Sequence, residues 1–394
     1  MGPFNASFDD ADFHVPYRFR WAYCQLQELK CLDSYKPKFV KKVLTSLAPT
    51  LDGTYNRILI RIKEMYYQEA LTLLCWLAYA RSPPTLGELV DATITDPVEE
   101  SFIDVSERGG LRDALNILAG LVTIEEDGAI DTQSYSEARI STNGPTSAGS
   151  GPAGTSFDSR HLTTNTRVRL EHFSVKEYLE SDRIFGSGAD KFHLENAVGH
   201  QLIAQSCLTY LRYYSSSTKK TSTEQDLKEF PLLKYAAQSW FYHSALQHDV
   251  GNGREALLLQ LRRARTDWLL IHQPDNTWSE PFNRDTATEF GSAIYYASLL
   301  GFAVVISKLL ESGADVNARG GKYGNALQAA SYRGHRETVQ LLLDRGAKVN
   351  AQGDEDAKIN TLRHDGSATL QEVDSLIREA SDEQYDFRMF LSSI

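Results

Sequence analysis

The chain is poor in the residues that most protein chemistry needs. Four cysteines in 394 residues (Cys24, Cys31, Cys75, Cys207) are too few for a disulfide scaffold, and their spacing matches no zinc motif. They read as buried, reduced thiols. Positive charge is also short: 41 Lys and Arg stand against 52 Asp and Glu, a net charge of −11. A general nucleic-acid binder would need the opposite balance. The longest apolar run, Ala70–Ala80, is far below the roughly 20 residues that span a bilayer. The leader MGPFNASFDDADF is acidic and lacks the apolar centre of a signal peptide. Its hydroxyl, Ser7, falls one place late for myristoylation. These absences point to the cytoplasm, with the nucleus left open, and to no membrane partner.

Catalytic patterns are missing as well. There is no G-x-x-x-x-G-K-[ST] to cradle phosphates. Lys322, in Gly320-Gly321-Lys322-Tyr323, has neither the earlier glycine nor the Ser or Thr that must follow. Ser150 and Ser187 stand beside glycines but not in G-x-S-x-G spacing. The ten histidines form no H-E-x-x-H or Cys/His pattern. The expectation is a non-enzymatic protein with no catalytic residue, no metal and no cofactor of its own.

What the chain does have is a repeat. Gly291–Tyr323 aligns with Gly324–Asp356 at an offset of 33 residues, with 13 identities. Ala314-Asp315-Val316-Asn317-Ala318 returns as Ala347-Lys348-Val349-Asn350-Ala351. This period and content resemble the ankyrin repeat. Ala297, Ala329 and Ala330 are small enough for inner helices to stack closely. Gly301 and Gly334 fall where such helices must stop in a left-handed turn, and Gly313 and Gly346 close the outer helices. Val305, Ile306, Leu309 and Leu310 make one apolar stripe, and Val339, Leu341, Leu342 and Leu343 the next. The wording GNALQAASYRGH replaces the Thr-Pro-Leu-His helix start, and Asn325 is the expected substitute cap. Two repeats cannot bury both faces alone. The amphipathic segment from Phe230 to His243, with Pro231 near its start, is the expected upstream cap. Leu370, Val373, Leu376 and Ile377 form a stripe suited to a degenerate third repeat.

The first two thirds are mainly helical in pattern. Val40, Val43, Leu44 and Leu47 share a face, Glu69–Arg81 is apolar, and Pro83-Pro84 forces a stop. Thr85 and Glu88 are spaced as a capping box. Leu111–Leu121 is a further helix. Leu121–Glu125 and Arg167–Phe173 then alternate as two short strands. Between them, 132–166 is rich in Ser, Thr, Gly and Pro, the composition of a disordered insertion. Arg262, Arg263 and Arg265 read as a solvated helix face.

Three stretches carry a resemblance to fungal NACHT-type NOD-like receptors, of the STAND class. Phe19-Arg20-Trp21-Ala22 followed by Gln25-Leu26 resembles the last helix of the NACHT domain. Pro49-Thr50-Leu51-Asp52-Gly53-Thr54-Tyr55 resembles the connector after it, with Ala48 departing from the usual lead. Leu170-Glu171-His172-Phe173-Ser174 resembles the last motif of the winged-helix module. In that family the matching histidine contacts the β-phosphate of ADP, so the resemblance implies a nucleotide contact at His172 if a NACHT domain is supplied upstream or by a partner. The resemblance also implies that this chain starts after the P-loop machinery.

The expected fold is thus mostly α: a winged helix with a small β-hairpin wing, a helical connector and a short ankyrin solenoid. The expected boundaries are a NACHT remnant at 1–36, the winged helix at 37–185, the connector at 186–282, two repeats at 283–353 and a cap or tail at 354–394. The expected function is protein binding through the repeats, with a receptor-like role in non-self recognition or cell death by resemblance. Association with a NACHT domain is the further partner implied. Residues expected to be exposed for binding are Tyr295, Arg319, Lys322, Tyr323, Gln328, Tyr332, Arg333 and His335.

Overall fold

The structure is a computed structural model. It describes residues 20–26, 35–95, 103, 105–125, 162–247, 253–276, 279–283, 290–349 and 375. The expected third repeat and most of the expected insertion lie outside these residues. The described residues are mostly helical, with one two-stranded antiparallel sheet. The chain divides into two compact units, one of Met1–Thr93 with Arg108–Asn196, the other of Ile94–Glu107 with Ala197–Ile394.

In the first unit residues 20–26 are helical, and the helices α1 (Pro37–Ser46), α2 (Leu51–Ile60), α3 (Tyr67–Tyr79), α4 (Leu86–Thr93) and α5 (Leu111–Ile117) follow before the sheet. Strand β1 (Val122–Ile124) pairs with β2 (Val168–Leu170), with Thr123 opposite Arg169. Helix α6 (Phe173–Glu180) follows. At α2 and α4 the starts are made by side chains. Thr50 Oγ1 accepts from Gly53 N–H to open α2. The Thr85–Glu88 capping box is present in both directions, at 3.2 and 2.7 Å. Tyr55, Leu59, Leu73, Leu74, Trp76, Val168, Val175 and Tyr178 form a core with almost no exposure. Residues 162–166, expected within the disordered insertion, instead form a turn. The Thr166 and Thr164 carbonyls accept from the Leu86 and Gly87 N–H groups, which ties this turn to the start of α4.

The second unit opens with the long helix α7 (Asn196–Ser216), the short α8 (Asp226–Glu229) and α9 (Leu233–Leu246). Helices α10 (Gly253–Gln260) and α11 (Arg262–Ile271) lead to two helix pairs, α12 (Ala293–Leu299) with α13 (Ala303–Glu311), and α14 (Ala326–Arg333) with α15 (Arg336–Asp344). The inner helices α12 and α14 pack on each other through Ala297, Ala329 and Ala330, all with no exposure. Gly301 and Gly334 are left-handed, with φ of 77° and 72°. Gly313 and Gly346 close the outer helices at 90° and 84°. Asn325 caps α14, its Oδ1 accepting from Gln328 N–H at 2.9 Å. An aromatic column joins connector to repeat. Trp240 meets Trp268 at 5.3 Å and Phe302 at 5.8 Å, and Trp268 meets Tyr296 at 5.7 Å. The Trp268 indole also donates to the Ala237 carbonyl at 2.9 Å.

Candidate functional site

The expected binding residues gather around one finger. Arg319 and Asn325 bridge in antiparallel fashion, and Gly320, Gly321 and Gly324 between them all have positive φ, which folds the finger back sharply. Gly320 N–H donates to the Gly324 carbonyl at 3.0 Å.

Tyr295 does not belong to the exposed set. It is fully buried beneath the finger. Its hydroxyl donates to Asp275 Oδ2 at 2.9 Å and accepts from Tyr323 N–H at 3.2 Å. Lys322 N–H reaches the same Asp275 oxygen at 3.3 Å. The expectation of exposure fails because Gly321 has no side chain. A Cβ there would lie 2.2 Å from the Tyr295 ring, so the ring occupies the space the glycine leaves. Burial and the Asp275 carboxylate push the Tyr295 phenol well above its ordinary range, so it stays a neutral donor. Asp275 lies 20 residues away in an unremarkable loop and carries no sequence signal of this role.

The rest of the set splits by position. Arg319, Lys322, Tyr332 and Arg333 are exposed, and Tyr323, Gln328 and His335 are half-buried. Tyr323 and Tyr332 stack, with ring centroids 4.1 Å apart and planes 24° apart. The Lys322 ammonium lies 5.9 Å from the Tyr323 ring. Arg333 is anchored by a 2.7 Å bond to the Pro274 carbonyl. The outcome is a stacked tyrosine pair bordered by cations on a surface of an otherwise acidic chain. His335 has a different task. Its Nε2 donates to the Leu299 carbonyl at 3.1 Å, joining the second helix pair to the first. Burial and the Arg333 charge hold it below the usual imidazole range, against the pull of that carbonyl.

His172, in the first unit, is the N-cap of α6. Its Nδ1 accepts from Ser174 N–H at 3.2 Å and sits 2.6 Å from Ser174 Oγ. Tyr55 hydroxyl lies 2.8 Å from the same Oγ. With Nδ1 committed as acceptor, the neutral ring carries its proton on Nε2. Burial and the charge of Arg20 lower its affinity for a second proton. Arg20 itself pairs with Glu171 at 2.7 Å.

Among the described residues, no group of three His, Cys, Asp or Glu side chains is placed to hold a metal ion. Within them, too, no helix is long and apolar enough to cross a membrane.

The helix pairs and fingers define an ankyrin-repeat array, and the family profile described as ankyrin repeats (3 copies) matches residues 264–353. The chain therefore contains ankyrin repeats, which are protein-interaction modules without chemistry of their own. The chain is also 32% identical over 318 residues to a protein of Monascus ruber named azaphilone pigments biosynthesis cluster protein L. The alignment covers 76% of this chain and 59% of that protein, so the chain spans about three fifths of its relative's length. No solved structure matches the chain.

Proposed function

We propose that this chain is a non-enzymatic adaptor that holds an acidic segment of a protein partner on the finger and inner helix of its second repeat. The observation that carries this is the stacked Tyr323–Tyr332 pair with Lys322 and Arg333 beside it, on a finger that also exposes Arg319. Tyrosine and arginine dominate binding energy at protein interfaces because they bring large area with few rotors and a directional polar end. Arg333 is already held by the Pro274 carbonyl, which lowers the entropy cost of engaging it. The relative's printed name ties that protein to a pigment biosynthesis cluster. On that basis the proposed partner is a protein of a comparable biosynthetic cluster. The first unit is proposed to be a winged helix, supported by the order of helices, antiparallel strand pair and closing helix.

The test uses the whole chain as bait in an extract of its own source. A partner captured by the wild type and lost by both Tyr332→Ala and Lys322→Glu, with unchanged melting temperature, is the expected result. Capture indifferent to both substitutions would overturn it.

A second reading makes the chain the regulatory half of an ATP/ADP-dependent NACHT switch, with the P-loop domain encoded upstream or in a partner. It is supported by the position of His172 at the β2–α6 junction, as the N-cap of α6. A complex with such a domain whose ADP affinity falls on His172→Asn would support it. The same affinity in both forms would reduce His172 to a helix cap.

A further inference from the structure

The arginine run at the start of α11 does not stand alone. Arg262 and Arg263 are exposed, and with Leu261, Ala264, Arg212, Ser215 and Ser216 they line an open cleft of about 320 Å³. Arg212 comes from the C-terminal part of α7, some 50 residues earlier, so the cluster is assembled by the fold. Arg265, the third member of the run in sequence, turns away and donates to the Leu259 carbonyl.

Among the described residues, none of the three lining arginines has a carboxylate partner. The Nη1 of Arg212 is out of contact with solvent and has no hydrogen-bond acceptor. A buried guanidinium nitrogen without an acceptor is costly and calls for a partner such as a water or an anion. Asp267, four residues along α11 from Arg263, is already engaged, by Lys220 at 2.7 Å and by Ser215 Oγ at 2.7 Å. Its charge is therefore spoken for locally. The lining also includes the first turn of α11, a 10-residue helix whose N-cap Leu261 offers no side-chain acceptor. Its opening N–H groups lack intrahelical partners and add a partial positive charge to the cleft. Such charge crowding is unexpected in a chain of net charge −11, and opposed charges were available to relieve it.

We propose that this cleft is a binding site for a phosphate-bearing ligand, held by the guanidinium groups of Arg212, Arg262 and Arg263. Guanidinium forks match phosphoryl oxygens in geometry as well as charge. Ser215 and Ser216 border the same space, but their hydroxyl protons go to Asp267 Oδ2 at 2.7 Å and to the Tyr213 carbonyl at 3.0 Å, so the arginines carry the recognition. No bond is made or broken; the site recognises and retains an anion. It lies on the connector helices, not on the Tyr323–Tyr332 surface, so it does not rest on the adaptor reading.

The test is calorimetric titration of the whole chain with inorganic pyrophosphate at low ionic strength. Saturable binding is expected, weakened at least about tenfold by Arg262→Gln with Arg263→Gln, since bonds to charged groups are the strong ones. Arg345→Gln, at the exposed C-terminal end of α15, is the control and should bind as the wild type. Arg212→Gln tests the assembled third group, with circular dichroism checking its fold; the exposed pair keeps the test valid if it unfolds. A parallel arm uses vesicles of phosphatidylcholine with and without phosphatidic acid. Binding to pyrophosphate alone identifies a soluble ligand, and vesicle binding lost in the same variants identifies a lipid headgroup. No saturable binding in either arm, or binding unchanged in the double variant, would overturn the site.

Discussion

The two repeats share a 33-residue period and thirteen identities, yet they are built for different surroundings. In the first, every residue of α12 from Ile294 to Leu299 is buried, because α10 and α11 lie on one side and the second repeat on the other. In the second, the positions aligned with Leu299 and Leu300 are Tyr332 and Arg333, both exposed. The position of buried Tyr295 is taken by half-buried Gln328, and that of buried Phe302 by His335. The alanines and glycines that set the geometry are kept, while the large side chains follow the neighbour. A repeat's period is a backbone property; what each position does depends on what stacks against it.

The aligned pair Tyr295 and Gln328 offers the largest test of that difference. Tyr295→Ala removes a fully buried ring and the donor to Asp275, and should cost about 3–5 kcal/mol in urea unfolding. Gln328→Ala should cost about 1 kcal/mol or less. Equal costs would mean that the two repeats carry equal weight. The glycines come next. Gly301→Ala combines a left-handed φ with a Cβ 2.7 Å from His335 Nδ1, whereas Gly313→Ala has the same backbone strain and open space around it. The second should cost about 1–2 kcal/mol and the first clearly more. Tyr332→Ala, on the exposed surface, should stay within about 0.5 kcal/mol in stability. Its effect belongs in partner affinity, by about 1–2 kcal/mol.

Much of this was legible in the amino-acid sequence where one local rule governs one position. The glycines at 301, 334, 313 and 346, the Asn325 cap and the Thr85–Glu88 box need only their immediate neighbours. The strands at 122–124 and 168–170 showed as alternation although some forty residues separate them. Tyr295 was misread because its burial depends on the absence of a side chain at Gly321 and on an acid from another loop. Arg212 was missed for the same reason: its significance comes from α11, and nothing within its own helix marks it. Residue 162 onward read as part of a featureless insertion because its hydrogen bonds go to Leu86 and Gly87, far back in the chain.

The substitution of His335 for Phe302 gives the smallest predicted effect and the most specific one. In the folded chain, burial and Arg333 hold His335 below the ordinary imidazole pKa, so it is neutral where the unfolded chain's histidine is still protonated. The unfolded state therefore binds more protons in this range, and stability must rise with pH there. The contribution is fully present above the unfolded value of about 6.5 and is lost as pH falls from there through the depressed folded value. Protonation would also place a second N–H, on Nδ1, against the Gly301 turn. His335→Phe restores the first repeat's residue at this position and removes the titration, at the expense of the bond to the Leu299 carbonyl. The variant should thus be less stable at pH 8 and lose less stability than the wild type between pH 7 and pH 5. Melting curves of both forms across that range check this. A wild-type slope that survives the substitution would assign the acid response to another group in the unit.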